Sequence, residues 1–249
     1  MAIDMTERNI YAQICQNDGI KARDIAKNIH VERSVVNHFL YASPYLRELC
    51  YQDDEHLWHG MIRQGRRHTG LGNFCGYYGL VQEFLQLSEE EWFRMMLEGC
   101  RNIGRNLNDT RGLFHSFKDT RQTMVNLFDD LEGVDYGEWE IVFELRIKRA
   151  RYIRIYADVL LISPTHVFSL EFKMKDVIEK EEVAQAAKYC EYLEVLFGPQ
   201  MDVIPVLVLT RTADLYRYEP LGNTSAEIVV CSGDMLFNVV DEYLGFLEE

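Results

Sequence analysis

The sequence lacks several features that would settle its class at once. No apolar stretch reaches 18 residues, so nothing in it reads as a membrane-spanning helix. The opening "MAIDMTERNIYAQICQ" has no basic segment leading into an apolar one, so it does not read as a secretory signal. The six cysteines are scattered, with no CxxC pair. That argues against a zinc ribbon or a disulfide framework and suits a reducing, cytoplasmic setting. Internal repeats and low-complexity segments are missing too. Positive charge is also scarce: 26 Lys and Arg stand against 40 Asp and Glu, a net charge of −14. An acidic surface repels phosphate, so this balance weighs against a nucleic-acid binder.

The distribution softens that exclusion. Residues 1–68 hold nine basic and nine acidic side chains, so the whole excess lies in the remainder. Two basic clusters stand out, "RQGRRH" at 63–68 and "RIKRARYIR" at 146–154. The second could grip a phosphate backbone, with Arg149 and Arg151 as candidates, or simply form a solvated hairpin.

With 47% apolar residues, 249 positions suffice for one large domain or for a small and a medium one. Apolar spacing predicts three short helices in "ERNIYAQICQND", "KARDIAKNI" and "ERSVVNHFLYAS". The first is closed by Asn17-Asp18-Gly19 and the third stops at Ser43-Pro44. A hairpin with an acidic centre follows. Helix, turn, helix and wing over 1–62 is the winged helix-turn-helix pattern. Residues 63–80, rich in Gly and basic side chains, read as a linker. From 81 onward come helices, among them one opened by a capping box at Ser88 to Glu91. Strands begin near Glu138: "WEIVFELRI", "IYADVLLI" and "HVFSLEFKM". A long helix, a buried-looking strand "DVIPVLVLTR", a further strand and a closing helix complete an α/β domain over 81–249.

Within "HVFSLEFKM", alternation places Ser169, Glu171 and Lys173 on one face. On the preceding strand Asp158 is set among aliphatics, where a lone carboxylate needs a cation or a hydrogen-bond partner. Two carboxylates on adjacent strands beside a lysine suit phosphodiester hydrolysis. Hard oxygen ligands hold Mg²⁺, and an ammonium steadies the attacking water or the developing charge.

Asp158, twelve intervening residues and Glu171-Phe172-Lys173 resemble the signature of the PD-(D/E)XK nucleases. Ala157 stands where that family has proline. Gln185 and Tyr189 match the QxxxY motif of an exonuclease-like branch. The resemblance spans roughly 90–232 and is strongest over 138–193. It implies an αβββαβ restriction endonuclease-like core. Asp158, Glu171 and the main-chain carbonyl of Phe172 would hold Mg²⁺ or Mn²⁺, and Lys173 would activate water. Gln185 and Tyr189 would support substrate, and Glu144 would assist, a role Glu138 or Glu140 could also fill. The substrate implied is nucleic acid, chiefly double-stranded DNA, in restriction or defence, with a homodimer common among relatives. In the third predicted helix, Arg33, Asn37 and Tyr41 share one face, and Trp58 follows in the wing. This set resembles the nucleic-acid contacts of Z-alpha winged helices, although the wing's proline pair is missing. Tyr41 and Trp58 could equally close a small core. The competing class is a non-catalytic winged-helix regulator on an inactive nuclease-like scaffold.

Overall fold

In a computed structural model, residues 5–17, 19–60, 68–107, 110–149, 154–198, 201–221 and 227–246 are described, without the side chains of 48, 69, 110, 111, 148, 149 and 154. The chain is a mixed α/β protein. Helices α1 (Met5–Gln16), α2 (Ala22–Asn28), α3 (Arg33–Ala42) and the single turn α4 (Leu46–Leu49) lead into two short antiparallel strands, β1 (Cys50–Gln52) and β2 (Trp58–Gly60). A bridge from Ile20 to Trp58 ties the hairpin back to the turn between α1 and α2. Ile10, Ile14, Ile25, Val36, Leu40 and Leu46 fill the space between these elements.

The stretch 63–80 is not all linker. Residues 61–67 lie outside the described part, but a 3-10 turn covers Thr69–Phe74 and β3 (Tyr77–Leu80) pairs with the main sheet. Helices α5 (Val81–Gln86), α6 (Glu89–Asn102) and α7 (Thr110–Asp130) follow. Ser88 caps α6 as its sequence implies: its hydroxyl accepts from the Glu91 amide, and Glu91 accepts from the Ser88 amide.

Strands β4 (Glu140–Arg149), β5 (Arg154–Ile162) and β6 (His166–Lys173) form an antiparallel run. Helix α8 (Lys180–Phe197) then crosses to β7 (Asp202–Leu209), which is parallel to β6. Next come β8 (Tyr216–Pro220), β9 (Glu227–Ser232) and α9 (Leu236–Leu244). The sheet has seven strands in the order β3-β4-β5-β6-β7-β9-β8.

Alternation divides its two faces. Ile141, Phe143, Val159, Leu161, Phe168, Leu170 and Phe172 pack with α6, α7 and α9 through Trp92, Met96, Leu127 and Val239. Val142, Leu160, Ile162 and Val167 pack with Leu193, Leu196 and Phe197 of α8. The N-terminal helices share that second core, and the Tyr11 hydroxyl donates to the Leu196 carbonyl at 3.0 Å.

Candidate active site

The site grows out of strand register. Pairing of Val159 with Leu170 puts Asp158 opposite Glu171 one step further along the β5–β6 ladder. Pairing of Phe143 with Val159 and of Leu145 with Ala157 puts Glu144 opposite Asp158. Opposed residues of antiparallel strands share a face. Three carboxylates from three successive strands therefore form one row across the sheet. Backbone geometry is unusual at its first member. Glu144 has φ +54, in the left-handed region that non-glycine residues rarely enter. Val142 and Leu145 consequently join the same core, and the usual alternation slips at the glutamate.

Each carboxylate has its own partners. Asp158 Oδ2 accepts from the Phe172 amide at 2.9 Å, so the peptide between Glu171 and Lys173 is held against the aspartate. Glu171 Oε1 accepts from Lys173 Nζ at 2.8 Å and from Gln185 Nε2 at 3.3 Å, while its Oε2 is buried without a hydrogen bond. Gln185 Nε2 also donates to the Tyr189 hydroxyl, one turn along α8. Glu144 accepts from Arg105 Nη2 at 3.3 Å. Arg105 Nε lies 2.8 Å from Glu144 Oε2, without the alignment of a hydrogen bond.

Arg105 is the member that sequence reasoning missed. It leaves the C-terminal end of α6 after Gly104, whose φ of +70 turns the chain, and its amide donates to the Cys100 carbonyl at 2.8 Å. Its guanidinium lies 4.4 Å from the centre of the Tyr156 ring. The only local signal is a glycine followed by an arginine, common at helix ends and uninformative by itself. The approach of α6 depends on two glycines. A Cβ on Gly99 would stand 2.1 Å from the Gly76 carbonyl oxygen, and one on Gly76 would stand 2.7 Å from Met96 Sδ.

Burial shifts the titration of all three acids upward. Burial raises the Glu171 carboxyl to about 8, with Asp158 adding to the effect and Lys173 opposing it. Burial likewise raises Glu144 to about 8, with Asp158 again adding and Arg105 opposing. Asp158 is also raised by burial, against the pull of the Phe172 amide, Lys173 and Arg105. Burial disfavours the Lys173 ammonium, but Glu171, Asp158 and Glu182 together outweigh it and the net shift is upward. Burial and then Glu171 push the Tyr189 phenol up to about 12.

These features fit a hard divalent cation. The donors are all oxygens, and Glu171 Oε2 is buried without a hydrogen bond. Among the described residues no group of three or more His, Cys, Asp or Glu side chains is arranged to hold a metal ion. Asp158 and Glu171 would thus be protein ligands in a shell completed by backbone and water, as Mg²⁺ commonly accepts.

Other expected residues fall elsewhere. Glu140 is engaged away from the row, accepting from the His68 amide at 2.7 Å and pairing with the His68 ring and the Tyr78 hydroxyl. Arg33, Asn37 and Tyr41 lie on one side of α3, Tyr41 being 58% exposed with its hydroxyl donating to Gln52 at 3.1 Å. Trp58 does not share that surface. It is 5% exposed, beneath the edge of the Tyr41 ring, where strand pairing and the small core bury it. Arg151 and the side chain of Arg149 lie outside the described residues. Arg146, from the same basic cluster, turns inward and donates to the Ile103 carbonyl at 3.0 Å.

No family model and no curated protein matches the chain. Among solved structures it is similar to protein VC1899 from Vibrio cholerae, at 12% identity and a TM-score of 0.30. The match covers 99% of this chain and 57% of that one, so the chain spans little more than half of that protein's length. A likeness this distant carries no argument about function. No helix among the described residues is long and apolar enough to cross a membrane.

Proposed function

We propose that the chain is a divalent-metal-dependent nuclease of the PD-(D/E)XK kind, hydrolysing phosphodiester bonds, chiefly in DNA. One observation carries the reading: the row Glu144, Asp158 and Glu171 across three strands, with Lys173 on Glu171 and Gln185 and Tyr189 leaning in from α8. A carboxylate row packed solely for stability would be a poor choice, because buried acids oppose folding unless something compensates them. When bound at Asp158 and Glu171, Mg²⁺ or Mn²⁺ would polarise the scissile phosphate and make water a better nucleophile. The side chains divide the remaining work. The Phe172 amide orients Asp158. Gln185 and Lys173 fix one oxygen of Glu171, and the other is buried without a hydrogen bond. The Lys173 ammonium, 20% exposed on its side chain, can reach both a water and the incoming phosphate.

The N-terminal helices and hairpin support a winged-helix reading, with Arg33, Asn37 and Tyr41 as the face offered to nucleic acid. That face also favours the second reading, a non-catalytic nucleic-acid-binding regulator. Cleavage of plasmid, oligodeoxynucleotide and RNA, with Mg²⁺, Mn²⁺ or EDTA, separates the two. Cleavage should require the metal and fall at least about 100-fold in Asp158→Ala and Lys173→Ala. Metal-independent cleavage, or none on any substrate, would remove the nuclease reading. Asn37→Ala and Tyr41→Ala should weaken duplex binding about 5- to 20-fold, on the scale of one or two lost polar contacts. Unchanged affinity would assign α3 to a protein contact instead.

A further inference from the structure

We infer that Arg105 binds the scissile phosphate, exchanging its partner Glu144 for a non-bridging phosphate oxygen when nucleic acid enters. This deepens the nuclease reading and rests on it. Two cations flank the acid row, Lys173 on Glu171 at one end and Arg105 on Glu144 at the other. They are not equivalent. Lys173 makes a short, aligned hydrogen bond to its glutamate. Arg105 makes one longer bond at 3.3 Å, and its buried Nε contacts the second carboxylate oxygen without aligning to it. A planar guanidinium gains most from two parallel bonds, a geometry that phosphate supplies as carboxylate does, so a phosphate can take the place of Glu144 along the same edge.

Three further features favour a phosphate. The Tyr156 ring, its centre 4.4 Å from the guanidinium carbon, holds the cation in place in advance. Its side chain is 27% exposed where Glu144 is 5% exposed, so the cation and not the acid faces incoming substrate. Its partner Glu144 stands opposite Asp158 on the strand ladder, which places the cation beside the proposed reacting centre. In hydrolysis, water oxygen bonds to phosphorus and the bond to the departing sugar oxygen breaks. The water proton passes to solvent, and the departing oxygen takes one up. Charge builds on the non-bridging oxygens throughout, and Arg105 stabilises it without transferring a proton.

The test uses the full chain carrying Arg105→Gln, Arg105→Lys and the fold control Arg105→Gln/Glu144→Gln, which leaves no unpaired buried acid. Single-turnover cleavage is measured on oligonucleotides whose scissile linkage is phosphate or either phosphorothioate diastereomer. Affinity is read by fluorescence anisotropy with Ca²⁺ in place of Mg²⁺. Arg105→Gln should cut about 100-fold more slowly at saturating substrate, bind about 5- to 10-fold more weakly, and lose the discrimination against one diastereomer. Arg105→Lys should recover part of the rate but not the discrimination. A merely structural arginine would lower the melting temperature and leave the diastereomer ratio of the surviving activity intact, which would overturn the inference. So would wild-type cleavage and binding in a folded Arg105→Gln protein. If the wild type cuts nothing, the nuclease reading falls by itself. Arg105 then stands as an anion site only if Arg105→Gln still weakens oligonucleotide binding, and falls with that reading if it does not.

Discussion

Glu171 is held by two opposing demands. Lys173 and Gln185 stabilise its ionised form, yet burial and Asp158 disfavour that form more strongly, so its carboxyl titrates near 8. A folded-state value raised above the ordinary 4.5 means that the native protein binds the proton more tightly than the unfolded chain does. The stabilisation is then complete below about 4.5 and is lost as pH rises through 8; Glu144 adds to it with the same sign. In EDTA, therefore, melting temperature should fall between pH 5.5 and 8.5. Glu171→Gln, which cannot ionise, should flatten that fall and be about 1 kcal/mol more stable than wild type at pH 8.5, or about 2–4 °C. A divalent cation competes with those protons, so Mg²⁺ should raise the melting temperature more at pH 8.5 than at 5.5. Differential scanning fluorimetry across this range checks both effects. A wild type that gains stability with pH in EDTA would contradict the electrostatics described here.

At the scale of elements, α6 is the least forgiving part of the scaffold. It carries Arg105 to the row, and it can do so only because Gly99 lies against the backbone of Cys75 and Gly76. Gly99→Ala would drive a methyl into a main-chain carbonyl, which cannot rotate away as a side chain could. The expected cost is about 1–3 kcal/mol by urea denaturation, against a gain near 1 kcal/mol for the same change in an unobstructed helix. Because Arg105 moves with the helix, cleavage should fall even where the protein remains folded. Which elements the sequence disclosed follows from similar local physics. Strands β4 to β7, β9 and helix α8 declare themselves because each buries an apolar face with its own period. Asp158 and Glu171 were legible for the same reason, as charges out of place in that pattern. Strand β8, "YRYEP", is mostly exposed and exists through its pairing with β9, while β3, "YYGL", is hidden in a Gly-rich stretch. Arg105 was illegible because its position is set by the packing of α6 on β3, which no local spacing encodes.

For the whole molecule, the question is whether the N-terminal helices fold as a separate unit. Ile10, Ile14, Leu40 and Leu46 belong to the same continuous buried cluster as Val142, Leu160 and Leu193 of the sheet and α8. The Tyr11 ring lies inside that cluster, with its hydroxyl bonded to the end of α8. Burial raises its phenol far above the ordinary value, so it stays neutral and donates at every working pH. A shared core couples the two parts energetically, and coupled parts unfold together. Calorimetry should therefore give one transition, with calorimetric and van't Hoff enthalpies equal. Tyr11→Phe would leave the Leu196 carbonyl unpaired in a dry site, at about 1–2 kcal/mol, while the transition stays single. Tyr11→Ala removes the ring as well, at about 3–5 kcal/mol, and should split the melt into an early N-terminal step and a later one for the sheet. Two transitions already in the wild type would instead mean that the N-terminal helices are an independent module. Binding at α3 could then be lost without any effect on the carboxylate row.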